Sequence, residues 1–315
     1  MPLQKLQFRP GIVQDTTDYT NEGGWRDCDK IRFRLGLPET IGGWTRLTST
    51  PMLGTCRDLH PWTSLDGSRI VGAGTNLKLY VLDGALPIDI TPIRATTGAG
   101  DATFAATNGS ATLTVADASH GCVLGDFVTF SSAASLGGAI TAAVLNQEYQ
   151  VASIVDANSY TIVATATANA SDTGNGGSNT VAAYQINTGL DAAAAGSGWG
   201  AGVWSRGTWS SAANVTVPGA NVRLWSMDNF GEDLLANVRG GGIYYWDTSA
   251  GTSVRAVDIT SLSGNNQPQV ANVVLVSERD RHVFAFGCDP QGDPGVLDPL
   301  TIRFSSQESF TDWQA

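Results

Sequence analysis

The chain has 315 residues, with 18 Lys+Arg against 29 Asp+Glu for a net charge of −11, and its 42% hydrophobic content with 9 Trp excludes wholesale disorder. Charged residues make up only 15% and Gly reaches 37, a balance that suits many short strands and turns better than solvated helices. No stretch approaches 18 uninterrupted apolar residues, which excludes a membrane-spanning helix.

The opening residues Met1-Pro2-Leu3-Gln4-Lys5 lack the apolar run of a secretory signal, so a chain made in the cytoplasm is expected. Further on, Ile31-Arg32-Phe33-Arg34 alternates, placing Ile31, Phe33 and Leu35 on one face and Arg32 and Arg34 on the other. With the turn Leu35-Gly36-Leu37-Pro38-Glu39, this predicts a hairpin. Gly42-Gly43 would let backbone pass closely beside Trp25 and Trp44. The plain reading is a hairpin that closes the sheet; the alternative makes Trp25, Arg32, Phe33, Arg34, Gly42, Gly43 and Trp44 a candidate assembly interface, with the arginine face able to meet an acidic neighbour.

Strands follow at Ile70 onward and Leu77–Leu82, then a turn at Asp83-Gly84 and the tail Asp89-Ile90-Thr91. The same order recurs at Asp233–Val238, Ile243–Asp247 and Asp258-Ile259-Thr260. A third version runs from His282–Gly287 to Thr301–Phe304. Four-strand units at loose intervals suggest β-propeller blades, against the alternative of a plain sandwich.

Between the first two copies the composition changes. Residues 95–205 contain no Lys or Arg, and Trp is absent between Trp62 and Trp199. Flanks that resemble each other around a segment that resembles neither imply an inserted domain. The expected division is 1–93 (hairpin and first blade), 94–186 (inserted β-barrel or sandwich) and 187–315 (further blades, ending inside one). Within the insert, Ala111–Val115, Phe127–Phe130, Tyr149–Val155 and Tyr160–Val163 alternate between turn residues, and no helical period is present. The polar run Ser171–Thr180 is expected to be a flexible loop tip. Without the insert the chain holds roughly five blades of about 40–45 residues, so either the propeller is incomplete or the sequence is truncated.

Catalytic chemistry is hard to place. There is no G-x-x-x-x-G-K-[ST], H-E-x-x-H or G-x-S-x-G. His60, His120 and His282 are expected to pack at strand ends, and Cys28, Cys56, Cys122 and Cys288 to be small buried hydrophobes. Asp27/Asp29 lack the remaining ligands of a calcium loop, and Asp289/Asp293/Asp298 lie in a Pro/Gly-rich turn region. No catalytic residue, metal or cofactor is expected. Residues 47–315 carry 11 cations against 23 acids, which disfavours ordinary nucleic-acid binding but suits a conduit wall that does not hold DNA. Trp199, Trp204 and Trp209 support the alternative of a carbohydrate- or receptor-binding protein.

The segment W-R-D-x-D-K-I-R-F-R-x-G-x-P-E-x-I-G-G-W over 25–44 resembles the opening of tail nozzle (tail hub, stabilisation) proteins of short-tailed bacteriophages. Ile302–Trp313 resembles a later blade of the same proteins. His120-Gly121, Gly125–Phe130, Leu145–Tyr149 and Ala182–Ile186 resemble a β module that many of them carry. The resemblance implies a non-enzymatic virion protein, made in the host cytoplasm and built into the tail. Its implied setting is a homo-oligomer, commonly a six-fold ring, below the portal and adaptor and near tail fibres or spikes. Phage DNA would leave through the lumen without sequence-specific contacts.

Overall fold

The computed structural model describes residues 9–43, 45–191 and 222–314. The fold is all-β, and its one α-helix among the described residues is a single turn at Ala142–Leu145. The chain divides into two compact units, with the break between Ser49 and Thr50. The hairpin and the first large sheet thus belong to different units.

In the first unit, β1 (Ile31–Arg34) and β2 (Leu37–Thr40) pair antiparallel, with Arg32 opposite Glu39 and Phe33 opposite Pro38. The connection is only Leu35-Gly36, both at positive φ (52° and 80°), the mirror-image turn that matches strand twist. The expectation for Leu35 fails here. It sits at the turn tip, 96% exposed, because a two-residue loop leaves no strand position for it.

The second unit opens with a four-stranded antiparallel meander: β3 (Cys56–Thr63), β4 (Arg69–Thr75), β5 (Leu79–Asp83) and β6 (Leu86–Asp89). The chain then enters a seven-stranded sheet made of β7 (Ile93–Thr96), β8 (Thr103–Ala106), β9 (Thr112–Ala116), β10 (Phe127–Ser131), β11 (Glu148–Asp156), β12 (Ser159–Val163) and β13 (Val181–Gln185), with the helical turn α1 (Ala142–Leu145) between β10 and β11. Its strand order is β7-β13-β10-β11-β12-β9-β8, so the sheet does not close into a barrel. The long strand β11 pairs with β10 through Glu148–Gln150 and with β12 from Val151 onward, and register shifts interrupt the second stretch. The two halves it joins share one core, where Phe104 meets Phe130 at 4.8 Å and the hydroxyls of Tyr160 and Tyr184 lie 3.0 Å apart.

The run Ser171–Thr180 forms no strand, yet it is fastened. Asp172 accepts hydrogen bonds from the backbone N–H of Gly138, Ala139, Ile140 and Asn169, and Thr180 is fully buried. A carboxylate that satisfies several backbone donors holds a polar loop that has few apolar contacts of its own.

After the insert come a second meander, β14 (Trp225–Phe230), β15 (Asp233–Val238), β16 (Ile243–Trp246) and β17 (Val257–Asp258), and a three-stranded one, β18 (Ala271–Val276), β19 (Val283–Cys288) and β20 (Ile302–Phe304). The second sheet is covered on both faces. Leu234, Ala236 and Trp246 join Ile70, Leu79 and Val81 of the first, whereas Leu235 and Ile243 join Val274, Val276 and Ala285 of the third. That double burial explains the near-continuous apolar run in β15.

The repeated Asp-Ile-Thr tail has a shared physical basis. Asp89 Oδ1 accepts from Thr91 N (2.9 Å) and Oγ1 (2.6 Å), and Asp258 Oδ1 accepts from Thr260 N (2.8 Å) and Oγ1 (2.7 Å). Each turn drives its isoleucine, Ile90 or Ile259, to zero exposure at a core between sheets. Such burial contributes roughly 1.5–3 kcal/mol per side chain.

The ends of the inserted sheet are cross-strand neighbours, since Gln185 pairs with Ile93. Replacing residues 95–185 with a short Gly/Ser linker is expected to leave the three meanders folded, with a reduced thermal midpoint. Circular dichroism and thermal unfolding of the shortened chain check this, and a molten product would show that the meanders depend on the inserted sheet.

Candidate functional site

The hairpin's alternation is borne out locally. Ile31 and Phe33 are half-buried while Arg32 and Arg34 are exposed. Trp25 meets Phe33 edge to face at 6.1 Å. The two arginines do not act as an equivalent pair, because Arg32 Nε donates to Glu39 Oε2 across the hairpin at 3.3 Å. Gly42 and Gly43 are exposed, and a Cβ at either would meet no described atom within 4 Å. Trp44 lies outside the described residues, as do Trp199, Trp204 and Trp209.

Each histidine has a hydrogen-bond partner within the fold. His60 lies inside β3 rather than at its end, with Nε2 2.6 Å from Asn229 Oδ1. His120 is buried against Tyr160. Its Nδ1 accepts from Cys122 N at 3.0 Å, leaving Nε2 to donate to Asp156 O. His282 Nδ1 contacts Ser305 O at 2.7 Å. Among the cysteines only Cys122 and Cys288 are buried, whereas Cys56 is exposed and Cys28 half-buried. Edge position explains Cys56, since β3 is the outer strand of its sheet.

In the acid-rich loop, the carboxylates of Asp289 and Asp298 accept from local donors. Asp289 is fully buried and accepts from the backbone N–H of Gln269, Val270 and Gly295, while Asp298 accepts from Leu300 N and Thr301 Oγ1. No group of three potential metal-ligating side chains occurs among the described residues.

The residues that sequence reasoning passed over converge where the inserted sheet leaves the meanders. Lys78, with a side chain only 4% exposed, bonds Asp89 Oδ2 at 2.7 Å and Glu148 of β11. Arg255 bonds Asp89 Oδ1 at 3.2 Å and Thr91 O at 2.8 Å, and lies 3.7 Å from Glu148 Oε2. Gln185 Nε2 donates to the same Glu148, and the Lys78 ammonium sits 4.4 Å from the centre of the Phe127 ring. Burial would push the Asp89 carboxyl up, but Arg255, Lys78 and Thr91 outweigh it and hold it below the usual carboxylate range. Four charges drawn from sequence positions 78, 89, 148 and 255 thus compensate one another, which no local motif could announce.

Beside this cluster lie two cavities of about 360 and 230 Å³ that share Arg94, Ile186 and Tyr244. The smaller also takes in Asn187, Val238 and Arg223. Arg94 Nη2 donates to His120 O at 2.7 Å, and its guanidinium lies 5.2 Å from the Tyr184 ring centre. Arg223 is 7% exposed and stacks over Trp225 at 5.5 Å, yet its Nη1 has no hydrogen-bond partner among the described residues. Burial pushes the guanidinium down to about 10, against the influence of Tyr244 and Asp126. Burial likewise pushes the Tyr244 phenol up to about 12, so its hydroxyl keeps its proton at neutral pH.

No family model matches the chain. No curated protein matches it either. Among solved structures it is similar to one described as "Phage phi92 endosialidase", at a TM-score of 0.23 and 14% identity over 88% of this chain. The chain spans 39% of that structure's length.

Proposed function

We propose that the chain is a structural subunit of a short-tailed phage tail, in the nozzle below the portal and adaptor, and that it works by assembly rather than by catalysis. The resemblance of 25–44, of the insert and of 302–313 supports this reading. So does a series of meanders packed face upon face.

The observation that carries it is the outer face of the third sheet. Two cross-strand rows lie there, Val273-Phe286-Ile302 and Leu275-Phe284-Phe304. Leu275 is 50% and Ile302 60% exposed, and the rings of Phe284 and Phe304 lie 6.0 Å apart. No charged side chain interrupts either row. Apolar faces of this kind mark interaction sites. The first sheet packs on the second and the second on the third, so this face stands next in line. A neighbouring copy of the chain in a closed ring supplies the sheet that covers it.

Mass measurement in solution, by light scattering or native mass spectrometry, tests the reading. The full chain should be a closed oligomer. Leu275→Glu with Phe304→Glu should shift it to monomer with its circular dichroism unchanged. Arg32→Ala with Arg34→Ala should weaken assembly in a salt-dependent way. A wild-type chain that stays monomeric at roughly tens of micromolar would remove the support.

A further inference from the structure

We propose that the smaller cavity, lined by Arg94, Asn187, Arg223 and Tyr244, is a binding site for an oxyanion, a carboxylate or phosphate group of a small molecule. The inference does not rest on the assembly reading.

The argument starts from Arg223. A guanidinium presents five donors and stays charged at neutral pH, so its removal from water must be compensated. Other buried charges among the described residues are compensated: Lys78 has two carboxylates, Asp172 four amides and Asp289 three. Arg223 is nearly as buried as these, yet its Nη1 reaches no acceptor among the described residues.

Two acids stand in the surroundings, and neither fills the role. Asp126 attracts Arg223 but is occupied by neutral donors, with Val123 N at 2.9 Å, Asn187 Nδ2 at 2.6 Å and Thr188 N at 2.7 Å. Asp258 acts on Tyr244 rather than on Arg223, and its Oδ1 accepts from Thr260. The segment 192–221 contains no Asp or Glu, so no carboxylate precedes Arg223 closely in sequence.

The rest of the lining has matching chemistry. Arg94 adds a second cation, and the Tyr244 hydroxyl is a neutral donor at physiological pH. Ile186 and Val238 supply apolar wall, which strengthens any charge-assisted hydrogen bond made there. A volume of about 230 Å³ holds several waters at about 30 Å³ each, or one small acid.

Titration of the full chain with sodium acetate and, separately, inorganic phosphate at constant ionic strength tests the proposal, with chloride as the reference. A saturable rise in thermal midpoint is expected with one or both, together with a saturable shift of the Arg223 Nε–H NMR resonance. A response to acetate alone assigns a carboxylate, and a response to phosphate alone assigns a phosphate. Arg223→Gln should weaken the response about tenfold or more, and Arg94→Gln should also weaken it. Should Arg223→Gln fail to fold, the wild-type resonance decides. Absence of saturation with both anions, or an equal response in a folded Arg223→Gln variant, overturns the proposal.

Discussion

Replacing Lys78 with Ala is expected to cost about 3–5 kcal/mol, the range for breaking a buried ion pair by removing one partner. Two carboxylates, Asp89 and Glu148, would then face each other with only Arg255 between them, and the Lys78 position itself is almost sealed from solvent. The effect has a definite pH dependence. Asp89 is held below its usual range in the folded state, so its charge adds stability above the unfolded value near 3.9, and that stability is lost as pH falls through the folded-state value. Removing Lys78 raises Asp89 toward its ordinary range. The deficit of Lys78→Ala should therefore be greatest near neutrality and narrow below about pH 4. Denaturant unfolding of wild type and variant at pH 7 and pH 3.5 measures this. A deficit that does not change with pH would mean that packing against Phe127, rather than charge, is what Lys78 contributes.

Replacing Gly74 with Ala is expected to cost about 2–3 kcal/mol, at the upper end for overpacking a well-filled core. A Cβ there would stand 2.4 Å from Cγ and Cδ1 of Trp225, inside any permissible contact. The indole cannot move aside freely. Its Nε1 donates to Thr75 O at 2.7 Å, and it belongs to the core shared by the first two meanders. Gly72 has a milder version of the same role, because its Cβ would meet Met227 Sδ at 3.2 Å. Alternate glycines in β4 thus cut the groove that receives β14. Gly292→Ala is the control, since a Cβ there would meet nothing within 4 Å and its change should stay within about 0.5 kcal/mol. Thermal unfolding compares the two. Equal stability of Gly74→Ala and wild type would mean that the sheets can separate at no cost.

Local patterns in the sequence determined a good deal of this protein. Alternation in Ile31–Arg34 set which side chains share a hairpin face, because a strand's side-chain period is two wherever it pairs. The two Asp-Ile-Thr tails became matching turns, because an Asp side chain reaches the backbone two residues on without help from the rest of the fold. The all-β class followed from many short β-branched and aromatic runs between Gly and Asn turns, which occupy 94–186 and the meanders alike.

Tertiary structure decided what depends on distant partners. Ser171–Thr180 has the composition of a free loop, but Asp172 finds amides at 138–140, more than thirty residues away. Gly42-Gly43 and Gly72/Gly74 carry similar local signals, and among the described residues only the second pair meets a bulky neighbour, because an indole from position 225 is folded against it. Lys78, Asp89, Glu148 and Arg255 look like scattered surface charges along the chain. They form one compensated cluster because the inserted sheet and two meanders meet there, and Coulomb energy depends on separation in space rather than along the sequence. Arg223 became a candidate site for the same reason: burial of a guanidinium whose Nη1 finds no acceptor among the described residues is a property of its surroundings, not of its own position in the sequence.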